Sequence, residues 1–521
     1  MRYIVTAQQM KTAEEKADCK GITFSAMMDN AGAACCRQIA RIVGGIQNLR
    51  DKAFVVLCGR GNNGGDGIVL AQRILENGGA VLCVFVSDLP SSVTARENYT
   101  KYCANGGNGE LPAAIYTHRE DAVKKALTSC DVIIDCVFGT GFSGELEPKI
   151  SSLFRFINNS CDALKISVDV PSGINASTGE IAESAIRPDV TLMLGAAKKG
   201  LLSHPAFDNC GDLVLLDIGI PVECYTEYEA AFISDDVLRF IPPRKKNSHK
   251  GDYGRLLNIA GSECYIGAAL LSTKAALKSG AGTVTLASVK SVCRAIAPAI
   301  PEAVYLPLYA DGEGYADSEA AETVKSKLDG FNAVALGCGL GITDNTRTLT
   351  EFILKNCTQP VILDADGINL LSLNINILKE TDRLKVLTPH PKEFSRLTGI
   401  SLQAVQSDRI GHAKDFAAKW NAVTVLKGVN TVVAAPDGRV FVNVTGNPGL
   451  AKGGSGDVLT GMIASFAAQG VRPFEAAMLG VYLHGLTADR LAQSVALSGI
   501  MPGDIADYLP IIMRNAKNHN N

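Results

Sequence analysis

Residues 52–67 read KAFVVLCGRGNNGGDG, and this stretch decides the class of fold. A strand-like apolar run leads into a turn in which Gly59, Gly61 and Gly64 have the G-x-G-x-x-G spacing of a dinucleotide-binding turn. The run behind it, IVLAQRILENGG, has the pattern of a helix closed by glycine. Asp88 ends the next strand-like run, where such folds place a ribose-binding acid. A strand, a glycine turn and a helix in this order predict a parallel α/β sheet.

Three polar residues, Asn62, Asn63 and Asp66, stand between the glycines of this turn. An NAD-dependent dehydrogenase is one interpretation of the spacing, and these polar residues argue against it. Motifs elsewhere in the chain are therefore needed to identify the ligand of this turn.

The composition is that of a soluble, core-forming protein with at least two domains. The chain has 521 residues, of which 47% are hydrophobic and 20% charged, and its formal net charge is −3. Because no long basic run is present, we expect neither nucleic acid nor an anionic membrane as a partner. The N-terminus lacks an apolar targeting segment, and no apolar run approaches the length of a membrane span. The 15 cysteines form no C-x-x-C pair, which favours reduced thiols and a cytoplasmic location.

Short apolar runs alternate with helix-like stretches along most of the chain, which predicts an α/β protein of two domains. Each domain should hold a mostly parallel sheet with helices on both faces. A segment with acidic residues, two prolines and a basic cluster breaks the alternation, so we predict domains at 1–222 and 230–514. The predicted strands are 54–58, 81–86, 132–137, 165–170, 190–194 and 213–218 in the first half, and 256–260, 283–287, 333–336, 361–364, 385–387, 422–426, 431–435 and 440–443 in the second.

Three strands of the first half end in unusual loops: GRGNNGGDG, FGTGFSGELEP and DVPSGIN. Functional loops of such sheets gather at the carboxyl ends of the strands. One such loop is readily explained as a tight turn, whereas three together predict a shared binding crevice.

The second half contains the most specific motif, NPGLAKGGSGDVLTG, in which a glycine run precedes Asp457 and a helix. Such a turn at a helix N-terminus directs free N–H groups and the positive end of the helix dipole at an anion. Asp457 in the first turn can accept a proton from a hydroxyl that attacks a phosphoryl group. The alternative is an aspartate that only caps the helix.

At these residues the chain resembles a known family. GGSGDVLTG resembles the anion-hole motif of the ribokinase-like superfamily. HKGDYGRLLNIAGS, LGCGLG, DADGINLL, TPHPKEF and LKGVNTVV follow the order found in ADP/ATP-dependent NAD(P)H-hydrate dehydratases. In the first half, MMDNAG, GRGNNGGDG, GTGFSG and DVPSG resemble NAD(P)H-hydrate epimerases. Nearly the whole chain therefore resembles the bifunctional NAD(P)H-hydrate repair enzymes, with a Rossmann-like first domain and a ribokinase-like second domain.

The resemblance implies a metabolite repair function. The epimerase would interconvert the R and S forms of hydrated NADH and NADPH. The dehydratase would move a phosphoryl group from ADP or ATP to the S hydrate, and loss of phosphate would restore NAD(P)H. Bacterial relatives of this architecture use ADP. The implied cofactors are K⁺ and Mg²⁺, although no carboxylate cluster identifies ligands for Mg²⁺. Relatives self-associate, which implies a homo-oligomer.

The resemblance also assigns the dehydratase residues. Asp457 would be the base, and His390, Gly339 and Ala268 would contact the hydrate. Taken alone, His390 would more often be a structural histidine. The family often has proline in place of Cys338 and glycine in place of Lys392, which leaves the local loop geometry open. The nucleotide and its transferring phosphoryl group would be held by Lys427, Gly428, Val429, Asn430, Thr431, Gly453, Gly454, Ser455 and Gly456.

For the epimerase, Asp169 at the end of KISVDV is the candidate acid/base and hydrate contact, and its alternative role is to cap a loop. The resemblance places K⁺ at Asn63, Asp135 and Ser172, whose side-chain oxygens suit a hard cation. The hydrate would be bound by Asn62, Asn63, Gly64, Gly65, Asp66, Gly139, Thr140, Gly141, Phe142, Ser143, Gly144, Glu145 and Asp169.

Two other classes of protein compete with this interpretation. The first is a small-molecule kinase of the ribokinase superfamily with an accessory N-terminal domain, which GGSGD alone does not exclude. The motifs of the first half and TPHPKEF argue against it. The second is a dinucleotide sensor without catalysis, against which the presence of both Asp169 and Asp457 argues.

Overall fold

A computed structural model describes residues 2–87, 90–105, 114–116, 118–381 and 383–518. The chain divides into a first unit, residues 1–231, and a second unit, residues 232–521. Asp88 lies outside the described residues, so its predicted role stays a prediction. No helix in the described part of the chain is long and apolar enough to cross a membrane.

A short strand opens the first unit, and the helix that follows it has the N-terminal capping box that the spacing of Thr6 and Gln9 predicts. Its elements are β1 (Tyr3–Val5), α1 (Ala7–Cys19), α2 (Phe24–Ile42), β2 (Ala53–Cys58), α3 (Asn62–Glu76), β3 (Ala80–Phe85), α4 (Val93–Asn105), β4 (Ala114–Tyr116), α5 (Glu120–Ser129), β5 (Val132–Cys136), α6 (Pro148–Ser160), β6 (Leu164–Val168), β7 (Val190–Leu194), β8 (Ala197–Lys198), β9 (Asp212–Leu216) and, at the boundary of the units, β10 (Ala230–Phe232).

The main sheet of the first unit has the strand order β4-β3-β2-β5-β6-β7-β9, and each neighbouring pair is parallel. From β2 the chain adds β3 and β4 on one side, and it then adds β5 on the other side of β2. The carboxyl ends of β2 and β5 therefore flank a topological switch point, where open α/β sheets bind their ligands. β1 is parallel to β8 and antiparallel to β10.

Successive residues of β2 show that helices cover both faces of this sheet. Val56 belongs to a buried cluster with Ile39 of α2, whereas Val55 belongs to a second cluster with Leu127 of α5 and Phe154 of α6. The side chains of a strand alternate between faces, so the continuous apolar run in β2 is the expected pattern for a strand buried on both sides.

The second unit continues the alternation of strands and helices. Its elements are β11 (Arg255–Ile259), α7 (Ile266–Lys278), β12 (Thr283–Val289), α8 (Lys290–Ile296), β13 (Val304–Leu308), α9 (Ala320–Lys325), β14 (Ala333–Leu336), α10 (Asp344–Asn356), β15 (Val361–Leu363), α11 (Asp366–Leu371), β16 (Lys385–Leu387), α12 (Pro391–Thr398), α13 (Leu402–Ser407), α14 (Arg409–Trp420), β17 (Ala422–Leu426), β18 (Thr431–Ala434), β19 (Val440–Asn443), α15 (Ser455–Ala468), α16 (Pro473–Leu491) and α17 (Pro502–Asn518).

The sheet of the second unit has the order β13-β12-β11-β14-β15-β16-β17-β18-β19. It is parallel from β13 to β17, and β18 and β19 form the predicted hairpin. Its switch point lies between β11 and β14. Leu256 of β11 packs in one cluster with Met462 and Phe466 of α15, while Leu257 is equally buried and points to the opposite face. The prediction of two α/β domains with mostly parallel sheets is confirmed.

Two helices differ from the sequence-based expectation. α3 begins at Asn62 and not at Ile68, so the polar and glycine residues of NNGGDG form its first turns instead of a loop before it. Glycine allows this early start because the helix lies very close to the backbone of the loop that precedes it. α15 is buried on all sides, because α7, α16 and α17 pack around it on the sheet. α17 continues past residue 514 as far as Asn518.

Candidate functional sites

The three loops of the first unit meet around Asn63, which confirms their predicted convergence. The Asn63 side-chain amide donates hydrogen bonds to the carbonyls of Phe138, after β5, at 2.8 Å and of Val168, at the end of β6, at 3.2 Å. Its Oδ1 atom is buried and has no hydrogen-bond partner among the described residues. Buried polar atoms are rarely left unpaired, so this oxygen is available to a ligand or a cation.

Glycine is required where the first two of these loops approach each other. A methyl group added at Gly64 would lie 2.7 Å from the carbonyl carbon of Gly59, and one added at Gly59 would overlap the carbonyl of Val137. The G-x-G-x-x-G spacing thus serves close packing of the β2 turn against the start of α3 and the loop after β5.

Asp135 at the end of β5 is the buried anchor of this crevice. Ser172 donates from Oγ to its Oδ1 at 2.6 Å and from its backbone N–H to its Oδ2 at 2.8 Å, and the Ser167 hydroxyl donates to Oδ2 at 2.8 Å. Burial raises the pKa of Asp135, although these hydrogen bonds oppose the shift. Phe138 links this anchor to Asn63, since its carbonyl accepts from the Asn63 amide and its N–H donates to Ser172 Oγ at 2.8 Å.

Asp169 follows β6 and faces the same crevice. Its backbone has a left-handed φ of 68°, which non-glycine residues seldom adopt. One carboxylate oxygen forms an ion pair with Lys198, which is fully buried, and the other lies beside Gly139. A methyl group added at Gly139 would lie 3.3 Å from both Asn63 Cβ and Asp169 Oδ2. The structure thus brings Asn63, Gly139 and Asp169 together.

Two further carboxyl groups lie near Asp169. Burial, followed by the charges of Asp169 and Glu14, raises the pKa of Asp66 well above its usual value. Burial, followed by the charge of Asp169, raises the pKa of Glu14 to about 7. Burial and the charge of Asp169 thus shift Asp66 and Glu14 toward their protonated forms, and the charge of Lys198 opposes this shift.

The remaining predicted residues of the first site lie on two segments. Asn62, Gly64 and Gly65 belong to the first turns of α3. In the loop after β5, Phe142 packs against Phe138 with ring centroids 5.2 Å apart, and Gly141 and Gly144 have open space around them in the described part of the chain. The loop after β5 carries Gly139, Thr140, Gly141, Phe142, Ser143, Gly144 and Glu145, of which Gly139 lies beside Asp169.

In the second unit, Asp457 lies in the first turn of α15, directly behind the glycine turn. α15 begins at Ser455, and Gly454 takes a left-handed φ of 97°. Burial, followed by the charge of Asp364, raises the pKa of Asp457 to about 6. A carboxylate with this pKa is largely ionised at neutral pH and is a stronger base than an exposed aspartate.

Lys427 lies beside this turn. A methyl group added at Gly456 would lie 3.2 Å from Lys427 Nζ. The same nitrogen is 2.5 Å from Asp364 Oδ1, at the end of β15, and 4.0 Å from Glu393 Oε2. Burial opposes the charge of Lys427, but Asp364 and Glu393 outweigh burial and raise its pKa. A positive charge is therefore fixed beside the helix N-terminus, where an anion binds.

His390 caps α12 and contacts the same group of charges. Its Nδ1 accepts hydrogen bonds from the backbone N–H groups of Lys392, at 3.1 Å, and Glu393, at 3.2 Å. The proton of the neutral imidazole is therefore on Nε2, which lies 3.3 Å from Glu393 Oε1. Burial, followed by the charge of Lys427, lowers the pKa of His390, while burial raises that of Glu393 to about 7.

The predicted nucleotide loop follows β17 and is held from behind by Arg409 at the start of α14. The Arg409 guanidinium donates to the carbonyls of Leu426, at 2.8 Å, Lys427, at 3.0 Å, and Val429. Asn430 has a left-handed φ of 54°, and Thr431 Oγ1 donates to the carbonyl of Gly428 at 2.8 Å. Val429 is exposed at the tip of the loop.

The predicted hydrate contacts Ala268 and Gly339 are neighbours at the switch point between β11 and β14. Gly339 has a φ of 62°, and a methyl group on it would lie 2.9 Å from Ala268 Cβ. The Ser262 hydroxyl donates to the Gly339 carbonyl at 2.9 Å. Gly453 has open space around it among the described residues, so the backbone of the glycine turn is accessible.

One group of side chains in the described part of the chain has metal-ligand geometry: Cys338, Asp364 and Asp457 present atoms within 4.8 Å of one another. It does not fit Mg²⁺, which prefers oxygen ligands, because one member is a thiol and Asp364 is already paired with Lys427 and with the Thr460 hydroxyl.

Several residues of the two sites were not identified from the sequence. Lys198 pairs with Asp169 from a segment that carried no motif, and Glu14 lies in a helix recognised only by its capping box. Asp364 belongs to the quoted motif DADGINLL, where a carboxylate directly after a strand was a usable signal. Arg409 had no sequence signal, because its role depends on backbone carbonyls.

Comparison with known proteins matches both units. The family model described as NAD(P)H-hydrate dehydratase matches residues 256–511, and that described as YjeF-related protein N-terminus matches residues 25–200. A protein of Thermofilum pendens is 36% identical over 502 residues, covering 96% of this chain and 94% of the relative. A protein of Moorella thermoacetica is 36% identical over 519 residues, covering 98% and 97%. Both relatives bear the name bifunctional NAD(P)H-hydrate repair enzyme.

Among solved structures, the chain is similar to the ADP/ATP-dependent NAD(P)H-hydrate dehydratase of Bacillus subtilis, co-crystallised with ATP and Mg²⁺. The identity is 33%, and the match covers 55% of this chain and 99% of that one, with a TM-score of 0.47.

Proposed function

This chain belongs to the family of bifunctional NAD(P)H-hydrate repair enzymes, and from that membership we propose that it restores hydrated NADH and NADPH in two steps. The first unit interconverts the R and S hydrates. The second unit dehydrates the S hydrate, converting ADP to AMP and phosphate. The observation that carries the proposal for the second unit is the position of Asp457, in the first turn of α15 between the glycine turn and Lys427.

In the dehydratase, Asp457 accepts the proton of the hydrate hydroxyl while the hydroxyl oxygen attacks the terminal phosphoryl group of ADP. The N–H groups at the start of α15 and the ammonium of Lys427 stabilise the negative charge of that group. AMP leaves and the hydrate carries a phosphate ester. Phosphate then leaves with the ester oxygen, and loss of a neighbouring ring proton restores the double bond. A kinase-like site thus serves a lyase, because it converts a hydroxyl into a better leaving group.

His390, Gly339 and Ala268 are proposed to contact the hydrate. The tautomer of His390 allows it only to donate from Nε2, since Nδ1 is occupied by the N–H groups of α12. Lys427, Gly428, Val429, Asn430 and Thr431 are proposed to hold the nucleotide. Mg²⁺ is proposed to bind together with the nucleotide phosphates, since this ion usually keeps several waters and takes few protein ligands.

In the epimerase, Asp169 is proposed to move the proton when the hydrated carbon inverts. Asp66 is proposed to contact the hydrate, and burial, followed by the charge of Asp169, raises its pKa and so favours its protonated form. Asn63, Asp135 and Ser172 are proposed to hold K⁺, and the unpaired Asn63 Oδ1 supports this fit. A bound K⁺ would supply positive charge close to the phosphates of the substrate. We also propose a homo-oligomer that works in the cytoplasm.

The test mixes the purified protein with both epimers of hydrated NADH, ADP, Mg²⁺ and K⁺, and follows the dihydronicotinamide absorbance. Full recovery is expected, and no recovery with either ADP or ATP would refute the proposal. Asp457→Asn should abolish recovery. Asp169→Asn should leave rapid recovery of the S fraction and only slow, spontaneous recovery of the rest. Normal recovery of both epimers by Asp169→Asn would contradict the epimerase assignment.

A further inference from the structure

Asp364, at the carboxyl end of β15, connects the ammonium of Lys427 to the helix that carries Asp457, and its own side chain is withdrawn from solvent. Its side chain is 2% exposed. Oδ1 is 2.5 Å from Lys427 Nζ, and Oδ2 accepts a hydrogen bond from Thr460 Oγ1 at 2.7 Å. Thr460 lies one turn beyond Asp457 on α15. One carboxylate thus joins the ammonium beside the glycine turn to the helix that carries the proposed base.

We propose that Asp364 is a positioning residue of the dehydratase site, whose carboxylate holds Lys427 against the glycine turn and fixes the rotation of α15 and hence the direction of Asp457. This inference rests on the proposed function of the second unit. Asp364 is too deeply buried to touch the hydrate or the nucleotide, so its effect passes through Lys427 and Thr460.

Geometry at two neighbouring residues supports the assignment. A methyl group on Gly456 would lie 3.5 Å from Asp364 Oδ2 and 3.2 Å from Lys427 Nζ, so the turn and the ion pair are in contact. Ala365, directly after Asp364, has a φ of 48° and a ψ of −117°, a region that alanine seldom adopts. Such strain persists only where surrounding contacts impose it, and it clusters at functional sites.

The charge of Asp364 persists in this buried place because its partners compensate it. Burial alone would raise the pKa of Asp364, but Lys427 and the hydroxyls of Thr460 and Thr388 outweigh burial and hold it below its usual value. Removing the charge would leave Lys427 without its main partner, which is costly for a buried cation.

Asp364 also acts on the basicity of Asp457. After burial, its negative charge is the largest cause of the raised pKa of Asp457, so its removal lowers that pKa. Four groups face Asp457: Asp364 after β15, the Cys338 thiol after β14, Lys427 after β17 and, more weakly, Asp366 of α11. Lys427 is in turn surrounded by His390 and Glu393 at the start of α12 and by His484 of α16. Burial lowers the pKa of His484 to about 4, so His484 is neutral at the pH values of the assay.

Three variants of the full chain separate positioning from charge. Asp364→Asn keeps the shape and removes the charge. Thr460→Val removes the hydroxyl bond and keeps the charge, and Thr460→Ser restores that bond. Asp437→Asn is the matched control, since Asp437 is an exposed aspartate paired with Arg439 in the β18–β19 turn.

The measurements are kcat and kcat/KM for the S hydrate between pH 5 and 8, ADP affinity by calorimetry, and thermal unfolding of the full chain. Thermal unfolding is the check of folding, because the epimerisation rate reports only on the first unit. For Asp364→Asn we expect kcat to fall about 100-fold, because the reacting groups lose their alignment. The acid limb of kcat/KM should move about one unit to lower pH, and ADP should bind about tenfold more weakly as Lys427 loses its position. For Thr460→Val we expect a kcat about tenfold lower and an unchanged acid limb of kcat/KM. For Thr460→Ser we expect kcat to return to the wild-type value.

Wild-type kcat and an unmoved acid limb in Asp364→Asn would overturn the inference. If that variant fails to fold, an unchanged kcat in Thr460→Val would overturn it, and a loss that Thr460→Ser restores would support it. Failure of the wild-type chain to restore NADH from the S hydrate would instead refute the proposed function, which this design distinguishes from the Asp364 variants.

Discussion

Gly64→Ala provides a sharp test of the first site, because two physical effects of the change have opposite signs. Gly64 lies inside α3, where alanine is favoured over glycine by about 1 kcal/mol. If helix propensity decided the outcome, the variant would be more stable than the wild type. The structure places the backbone of Gly59 in the way of the new methyl group.

The magnitude follows from the distances. The added Cβ would lie 2.7 Å from the Gly59 carbonyl carbon and 2.9 Å from its nitrogen, whereas ordinary contacts begin at 3.4 Å. The Gly59 carbonyl oxygen would lie closer still, so the two backbones must separate by more than the roughly 0.7 Å that the carbon contact alone requires, which is 3.4 minus 2.7. Backbone atoms cannot rotate away as a side chain can, so we expect a net loss of about 2 kcal/mol in the free energy of unfolding. Asn63, the preceding residue, moves with the helix, and a displacement approaching 1 Å should slow epimerisation about 100-fold.

The assay uses the second unit as an internal reference. A mixture of R and S hydrates is treated with ADP, and the S fraction recovers at the dehydratase rate, while the R fraction recovers only as fast as it is epimerised. Gly61→Ala is the matched control, because its φ of −86° suits alanine and its methyl group would meet nothing within 4 Å in the described part of the chain. Wild-type recovery of the R fraction by Gly64→Ala, with unreduced stability, would refute the steric role of this glycine.

Three other predictions concern the remaining groups of the two sites. Dehydration needs ionised Asp457, whose pKa is about 6, so kcat/KM for the S hydrate should fall about tenfold from pH 7 to pH 5, and a flat profile over this range would contradict Asp457 as the base. Arg409→Ala removes the donors to the carbonyls behind the nucleotide loop, so steady-state kinetics should show a KM for ADP about tenfold higher with a smaller change in kcat, whereas an unchanged KM would argue against this role. Replacing K⁺ with Li⁺ should slow epimerisation and spare the S-hydrate reaction in the wild type, and Asn63→Ala should lose this dependence; a variant that keeps the K⁺ response would exclude Asn63 Oδ1 as a ligand.

Long apolar runs and glycine turns made the core of the fold predictable from sequence. A strand such as β2, buried on both faces, is a continuous apolar run, and each predicted strand overlaps a strand of the structure. The short strands β1, β4, β8 and β10 were not predicted because two or three residues show no periodicity. β13 escaped because it is half exposed and contains Pro307, which reads as a break. The early start of α3 was missed because glycines usually mark loops, whereas here they allow close packing.

The candidate sites were predictable to the extent that their residues lie in contiguous motifs. Asp457 and its glycine turn are adjacent in sequence, so their relation was visible. The pairing of Asp169 with Lys198, or of Asp364 with Lys427, joins residues from separate loops and depends on the order of strands in the sheet. A single sequence shows such residues but not their partners.

The peptide after Asp364 has a consequence for the evolution of this protein. A non-glycine residue in the backbone region of Ala365 costs on the order of 1–3 kcal/mol. Selection for heat tolerance alone should therefore favour glycine at this position, since glycine adopts the region without strain. Glycine would also give the adjoining peptide more conformational freedom, and the buried carboxylate of Asp364 would be held less firmly. Variants selected in the laboratory only for survival at high temperature are therefore expected to be more stable and to have a lower kcat. A substitution at position 365 is expected to combine these two effects.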